Sequence, residues 1–242
     1  MKALMKTLIV SALLIASGTL FAASLGDGMY NDDNTAKKAN RTLHKSVIAL
    51  DQIMDDPDNC IPPSLIDQSA GIVIFPDAFK IAFGMVGGQG ARGIALVRQD
   101  DGSWSNPFFV SLGEGSLGLQ LGAQKTDIVL LFKDRNAIMD LGKTEITLGG
   151  DVGVAAGPAS KGSSATTDIK FDSEIYSYCS SRGLFAGISF KGGVLTYNES
   201  VNESLYGMEA IDTDYIFHEI ETPYNNRVND LIEVIEIYGN AN

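Results

Sequence analysis

The chain has 242 residues, 30 acidic against 18 basic, with a formal charge of −12 and a pI near 4.5. Such an acidic balance lacks the basic footprint of nucleic-acid binding, so any anionic partner has to be met by a local cationic patch. Apolar residues make up 45 % of the chain and prolines number only 7, which excludes a disordered polymer and points to a packed fold.

At the N-terminus Lys2 and Lys6 precede an apolar run over 8–16, and small residues including Ser17, Gly18, Ala22 and Ala23 close it. This is the pattern of a secretory leader, and the run is too short to span a bilayer. Residues 1–23 are therefore expected to be a signal peptide of a bacterial type, with the mature protein exported to the periplasm, where it sits free or peripherally on a membrane. No cysteine follows the cleavage region to carry a lipid. Loss of Lys2 and Lys6 leaves 16 basic against 30 acidic residues, a net charge near −14. Residues 24–34 are polar and expected to be loose.

From 35 to 55 the pattern is helical. Ala36, Ala39, Leu43, Val47, Leu50 and Met54 recur at steps of three and four, while Lys37, Lys38, Arg41 and Lys45 fall on the opposite side. Asp55-Asp56-Pro57-Asp58-Asn59 ends the helix. Two readings follow. The stripe covers a sheet and the basic side is merely solvated, or the basic side meets an anionic surface. Four basic groups at about 1 kcal/mol each supply roughly 4 kcal/mol, which alone corresponds to about millimolar binding. Deeper attachment through Leu43 and Val47 requires the helix to detach.

Pro62-Pro63-Ser64 opens a short helix towards residue 69, and the texture then changes. Strand-like runs are expected at 72–75, 80–85, 94–97, 108–112, 117–121, 127–132, 145–148, 152–155, 168–178, 184–190 and 194–197. One helix, at 135–141, interrupts them. Short strands with glycine turns and no alternating helices argue for an antiparallel sheet bent towards a barrel or sandwich. Within this block Gly88, Gly90 and Gly93 spell G-x-G-x-x-G. The run continues into apolar Ile94 to Val97 and the turn Asp100-Asp101-Gly102, a strand and a hairpin, whereas a pyrophosphate loop needs a helix next. The glycines are read as backbone close approach in a bent sheet, with no nucleotide bound. A helical turn is expected at 201–206. Thr222-Pro223 caps a final helix to 238, striped by Val228, Leu231, Ile235 and Tyr238. The fold class is α+β: a strongly bent, barrel-like antiparallel core over 70–197 with an amphipathic helix before it and a helix after it, in one domain over 35–238.

Chemistry-bearing groups are sparse. Cys60 and Cys179 either pair, which in an oxidising compartment would add about 4–5 kcal/mol, or remain buried thiols; the sequence leaves both open. Two cysteines with the distant His44 and His218 make no metal-ligand cluster. No G-x-S-x-G elbow occurs, and Asp55-Asp56 and Asp100-Asp101 lie in turn-forming sequence. No catalytic residue, metal or cofactor is expected.

The β block also has a recognisable wording. Ala70-Gly71-Ile72-Val73-Ile74-Phe75-Pro76 leads to Asp101-Gly102-Ser103-Trp104-Ser105-Asn106-Pro107, then Gly118-Leu119-Gln120-Leu121-Gly122. Thr147-Leu148-Gly149-Gly150-Asp151-Val152, Arg182-Gly183-Leu184-Phe185-Ala186-Gly187 and Leu205-Tyr206-Gly207 follow. From about 35 to 207 this resembles the SYLF family, the actin-binding module of eukaryotic cortical-patch proteins, and the tail is similar to bacterial members. The resemblance implies a non-catalytic, lipid-binding module. Eukaryotic relatives contact phosphoinositide membranes through a basic amphipathic N-terminal helix, and some bind actin filaments. The family's Lys-Lys-Ala and basic-x-Leu pattern falls on Lys37-Lys38-Ala39 and Arg41-Thr42-Leu43. It implies an anionic phospholipid contact through Lys37, Lys38, Arg41 and Lys45 with Leu43 and Val47, and actin as a partner by resemblance. With an export leader and no second peptide- or lipid-binding domain, the chain departs from those relatives; a periplasm normally holds neither actin nor phosphoinositides.

Overall fold

The computed structural model describes residues 32–56, 60–158, 171–183, 192–221 and 223–241. The leader at 1–23, most of the loose segment at 24–34, part of the turn at 55–59, the beginning of the strand at 168–178 and the strand at 184–190 lie outside the described residues.

Helix α1 runs Asp32–Met54, three residues earlier than its stripe indicates. Ala39, Leu43, Leu50 and Ile53 are at most 1 % exposed and form the inward face. Helix α2, Pro63–Gln68, has proline at its first turn and ends where Ser69 Oγ donates to the Ile66 carbonyl.

Two strands dominate: β1, Gly71–Val97, of 27 residues, and β2, Phe108–Phe132, of 25 residues. The mean strand is about 5–6 residues long. The runs expected separately at 72–75, 80–85 and 94–97 are one strand, and so are 108–112, 117–121 and 127–132. The glycines that read as turns are bends inside a continuous ladder. Register shifts at Phe75/Ala78 and Gly84/Val86 mark two irregularities in β1, and bulges of this kind bend and twist a strand. The turn between the strands is closed by Gln99 N–H to Ser103 O, with Gly102 at φ 89 and Asp101 accepting from Ser103.

The hairpin folds over on itself. Arg98 N–H donates to the Ala70 carbonyl at 2.9 Å, joining the end of β1 to its beginning. Arg98 then bolts this corner to α2, donating to Ser69 O and Ile66 O while its guanidinium lies 4.4 Å from the Trp104 ring centre. The later half of β2 pairs with β5, Ile175–Gly183, and β5 pairs in parallel with β4, Val154–Ala156. The earlier half of β2 pairs with β6, Val194–Tyr197, and β6 with β3, Ile146–Thr147. Counted with the halves of β1 and β2 apart, the six strands among the described residues form eight segments of a curled half-barrel. The expected bent antiparallel α+β fold is present, with one parallel pair at its edge.

Helix α3, Arg135–Met139, is capped by Asp134 and continues as a 3-10 turn to Gly142. Helix α4, Glu199–Tyr206, is capped by Asn198 and stopped by Gly207 at φ 66. Helix α5, Thr213–His218, has no counterpart in the sequence reading; one turn capped by Asp212, with Ile216 and Phe217 buried side by side, is too short to show a period. Helix α6, Asn226–Gly239, begins three residues beyond Pro223. Its cap is Asn225, whose side-chain oxygen accepts from the Arg227 and Val228 amides; Thr222 lies outside the described residues. Helix α1 lies against β1, α4 and α6, and Tyr238 OH ties α6 to Asp51 of α1 at 2.9 Å.

Candidate functional site

The basic face of α1 does not end at the helix. Lys38, Arg41 and Lys45 form one wall of an open groove of about 380 Å³, and Pro76, Asp77 and Arg92 of β1 form the other. The bulge creates that second wall. Proline lacks an amide for a ladder and is tolerated at bulges. Asp77, which follows it, sits at φ 53 in the left-handed region. Its amide donates to Asp127 Oδ1 at 2.8 Å, and Asp127 is only 5 % exposed. The position of Asp77 is therefore fixed from behind. Its carboxylate accepts from Lys45 Nζ and lies 3.7 Å from Lys125 Nζ. Ion pairs this exposed contribute about 0–1 kcal/mol each, so they orient the groove more than they stabilise the fold.

Of the residues singled out from the sequence, Lys38, Arg41 and Lys45 converge on the groove, and Lys37 is exposed on the same helix face beside it. Leu43 is fully buried, and Val47 is half-buried against the core. In the docked helix Leu43 does not reach the surface, and Val47 reaches it only in part. The exposed apolar side chain is Ile48, at 41 %. It lies one turn beyond Lys45 and two turns beyond Arg41 on the same face, and a stripe counted from Ala36 passes over it. Arg92 is the groove residue the sequence reading lacks. Its signal is a single cation in the glycine-rich run between Lys80 and Arg98, but only the fold-over of β1 brings it opposite α1.

Gly88, Gly90 and Gly93 lie inside β1, paired with Gly115, Gly113 and Val110 of β2. No helix follows them, so the helix N-terminus that would hold a pyrophosphate is not there. At Gly93 an added Cβ would lie 2.3 Å from the Ile74 carbonyl oxygen and 2.5 Å from the Phe75 ring. The third glycine of the motif is a packing requirement of the fold-over.

Cys60 and Cys179 are not joined in a disulfide, and burial pushes the Cys179 thiol up to about 12. Among the described residues no group of three or more His, Cys, Asp or Glu is arranged to hold a metal ion. Burial raises the Glu114 carboxyl above its ordinary range, against the pull of Lys80. Glu114 does not line the groove. The groove therefore offers cations, one carboxylate and an apolar floor from Phe79 and Ala91, an arrangement suited to holding an anion.

Residues 113–238 match the family described as "Ysc84: Las17-binding protein actin regulator". The chain is 31 % identical over 209 residues to SH3 domain-containing YSC84-like protein 1 of Bos taurus, covering 86 % of this chain and 60 % of that protein. To the Xenopus laevis protein of the same name it is 32 % identical over 184 residues, 75 % of this chain and 54 % of that one. To Protein YSC84 of Saccharomyces cerevisiae it is 30 % identical over 190 residues, 77 % of this chain and 40 % of the relative. The chain thus spans little more than half the length of the vertebrate relatives it matches.

Proposed function

The chain belongs to the Ysc84, or SYLF, family, and from that premise we propose that it is a non-catalytic module that docks on an anionic lipid surface through the exposed basic face of α1. The observation that supports this most is the grouping of Lys37, Lys38 and Arg41 with exposed Ile48 on one face of a helix whose other face is core.

Magnitudes favour contact by the docked helix. Releasing α1 would expose Leu43, Leu50 and Ile53, each at most 1 % exposed. At 1.5–3 kcal/mol per side chain that costs roughly 5–9 kcal/mol, more than the ~4 kcal/mol the basic groups return. A docked helix keeps that burial, offers its cations, and inserts Ile48 for about 1–2 kcal/mol more. Binding is then weak and sensitive to salt, because the acidic remainder opposes it and screening acts beyond about 8–10 Å.

The test is sedimentation with anionic vesicles. Changing Lys37, Lys38 and Arg41 to glutamate, while leaving Lys45 to Asp77, is expected to weaken capture more than about 100-fold at ~1 kcal/mol per basic group lost, with the circular dichroism unchanged. Undiminished capture would rule out α1 as the contact. The leader reading of residues 1–23 supports a periplasmic, peripheral location, which fractionation of the source cell checks.

A second reading is a protein-interaction module of the actin-filament type, supported by the family's description as an actin regulator and by the YSC84-named relatives. Filament co-sedimentation without lipid separates it from the first.

A further inference from the structure

Independently of the membrane-surface reading, we propose that the rung Gln89–Glu114 is a pH-dependent hinge of the β1–β2 hairpin, closed while the Glu114 carboxyl keeps its proton and opened when it ionises. The rung sits in the softest part of the ladder. Gly87 pairs with Ser116, Gly88 with Gly115 and Gly90 with Gly113, so of these four rungs only Gln89–Glu114 carries side chains on both strands. Glycine adds backbone entropy and no packing. That one pair is left to hold the strands together beyond their backbone bonds.

The pair is polar and turned inward. Pairing is regular from Val86 to Ala95, so Gln89 lies on the same side of β1 as Gly93, whose added Cβ would meet Ile74 and Phe75 inside the fold-over. Gln89 is only 3 % exposed, and neither its Oε1 nor its Nε2 has a hydrogen-bond partner. Across the rung, Glu114 Oε2 is buried and unpartnered too. Buried polar atoms are nearly always paired, because an unmet one forfeits its bonds to water. Three such atoms on one rung make its cohesion depend on one proton. A neutral carboxyl can donate to Gln89 Oε1 across the ~4.5–5.5 Å between directly opposed Cβ atoms. A carboxylate can only accept, and it brings a charge into an apolar interior.

Two effects oppose each other at Glu114. Loss of water favours the proton, while Lys80, the one charged group acting on it among the described residues, favours ionisation; the first is the larger. In the opened hinge the carboxyl meets water and titrates near the ordinary value of ~4.3. In the closed hinge it holds its proton to higher pH. Closure is therefore complete below the ordinary value and is lost progressively as pH rises above it. The ends of the hairpin stay shut, because Ile72 to Phe75 and Ile94 to Val97 are buried and the Arg98–Ala70 bond joins them. Opening is local.

The experiment follows amide hydrogen exchange of the mature chain, corrected for intrinsic rates, at about pH 4.5 and about pH 8, on either side of most of the titration. Protection over 87–90 and 113–116 is expected to fall at least about fivefold at the higher pH, the cost of one unmet buried group, while 94–97 keeps its own. Glu114→Gln, which holds the polar shape without the charge, is expected to match wild type at the lower pH and to stay protected at the higher. Lys80→Gln removes the charge that supports the ionised form, so it is expected to leave the lower pH unchanged and to open the rung further at the higher. Wild-type protection that falls equally in 87–90 and 94–97, or not at all, would overturn the proposal. So would a Glu114→Gln effect of the same size at both pH values, since charge would then not be its cause. Unchanged or greater protection in Lys80→Gln at the higher pH has the same consequence. Should Glu114→Gln fail to fold, the wild-type and Lys80→Gln profiles decide.

Discussion

Replacing Gly93 with alanine is expected to cost about 3–5 kcal/mol and to leave little folded protein on expression. The reason is local. The single added carbon would sit 2.3 Å from the Ile74 carbonyl oxygen and 2.5 and 2.9 Å from two carbons of the Phe75 ring. Neither neighbour has room to yield. Ile74 is held in register opposite Val129, and Phe75 is fully buried. Relief would require the two ends of β1 to part, which breaks the Arg98–Ala70 closure as well. Gly102→Ala is the control. It stands at φ 89 with nothing within 4 Å of an added Cβ, so it bears only left-handed strain of roughly 1–2 kcal/mol. Urea titration of both variants checks the contrast. Equal stabilities would mean that β1 does not fold over as described.

Asn202→Leu is the second large effect. Asn202 is completely buried in α4. Its side-chain oxygen accepts from the Phe109 amide at 2.7 Å, and its amide nitrogen donates to the Phe109 and Asn198 carbonyls at 3.1 and 2.9 Å. One side chain thus satisfies the strand edge of β2 where β6 ends at Tyr197. Leucine is similar in size but pairs with none of these groups, and a buried amide left unpaired costs about 1–3 kcal/mol beyond the lost bonds. A total near 3 kcal/mol is expected, which for a domain of this size lowers Tm by roughly 6–12 °C. A shift under about 2 °C would show that the Phe109 backbone finds another partner.

Helix α1 was legible because its stripe repeats over some twenty residues, and no other period fits Ala39, Leu43 and Leu50. The bent sheet was legible as a class but not as two long strands. Gly84, Gly87, Gly88 and Gly90 ordinarily punctuate turns, and here they let one ladder curve without ending. Single-turn α5 carried too few residues to declare itself. At the site, Lys38, Arg41 and Lys45 could be read from the helix pattern, since they share a face by spacing alone. Arg92 and Asp77 could not, because their place opposite α1 depends on the bulge at Pro76 and on the fold-over of β1, which are long-range consequences. Asn202 could not be read either, because its partners at Phe109 lie far away in sequence and are met only in the fold.

The position of α1 during membrane contact is the point on which the functional account turns, and hydrogen–deuterium exchange of the mature protein, free and on anionic vesicles, tests it most directly. The account predicts that the protein binds and that the amides of Asp32–Met54 exchange no faster on the vesicle than in solution, with β1 equally protected beneath them. Faster exchange along α1 on binding, or no binding at all, would contradict it.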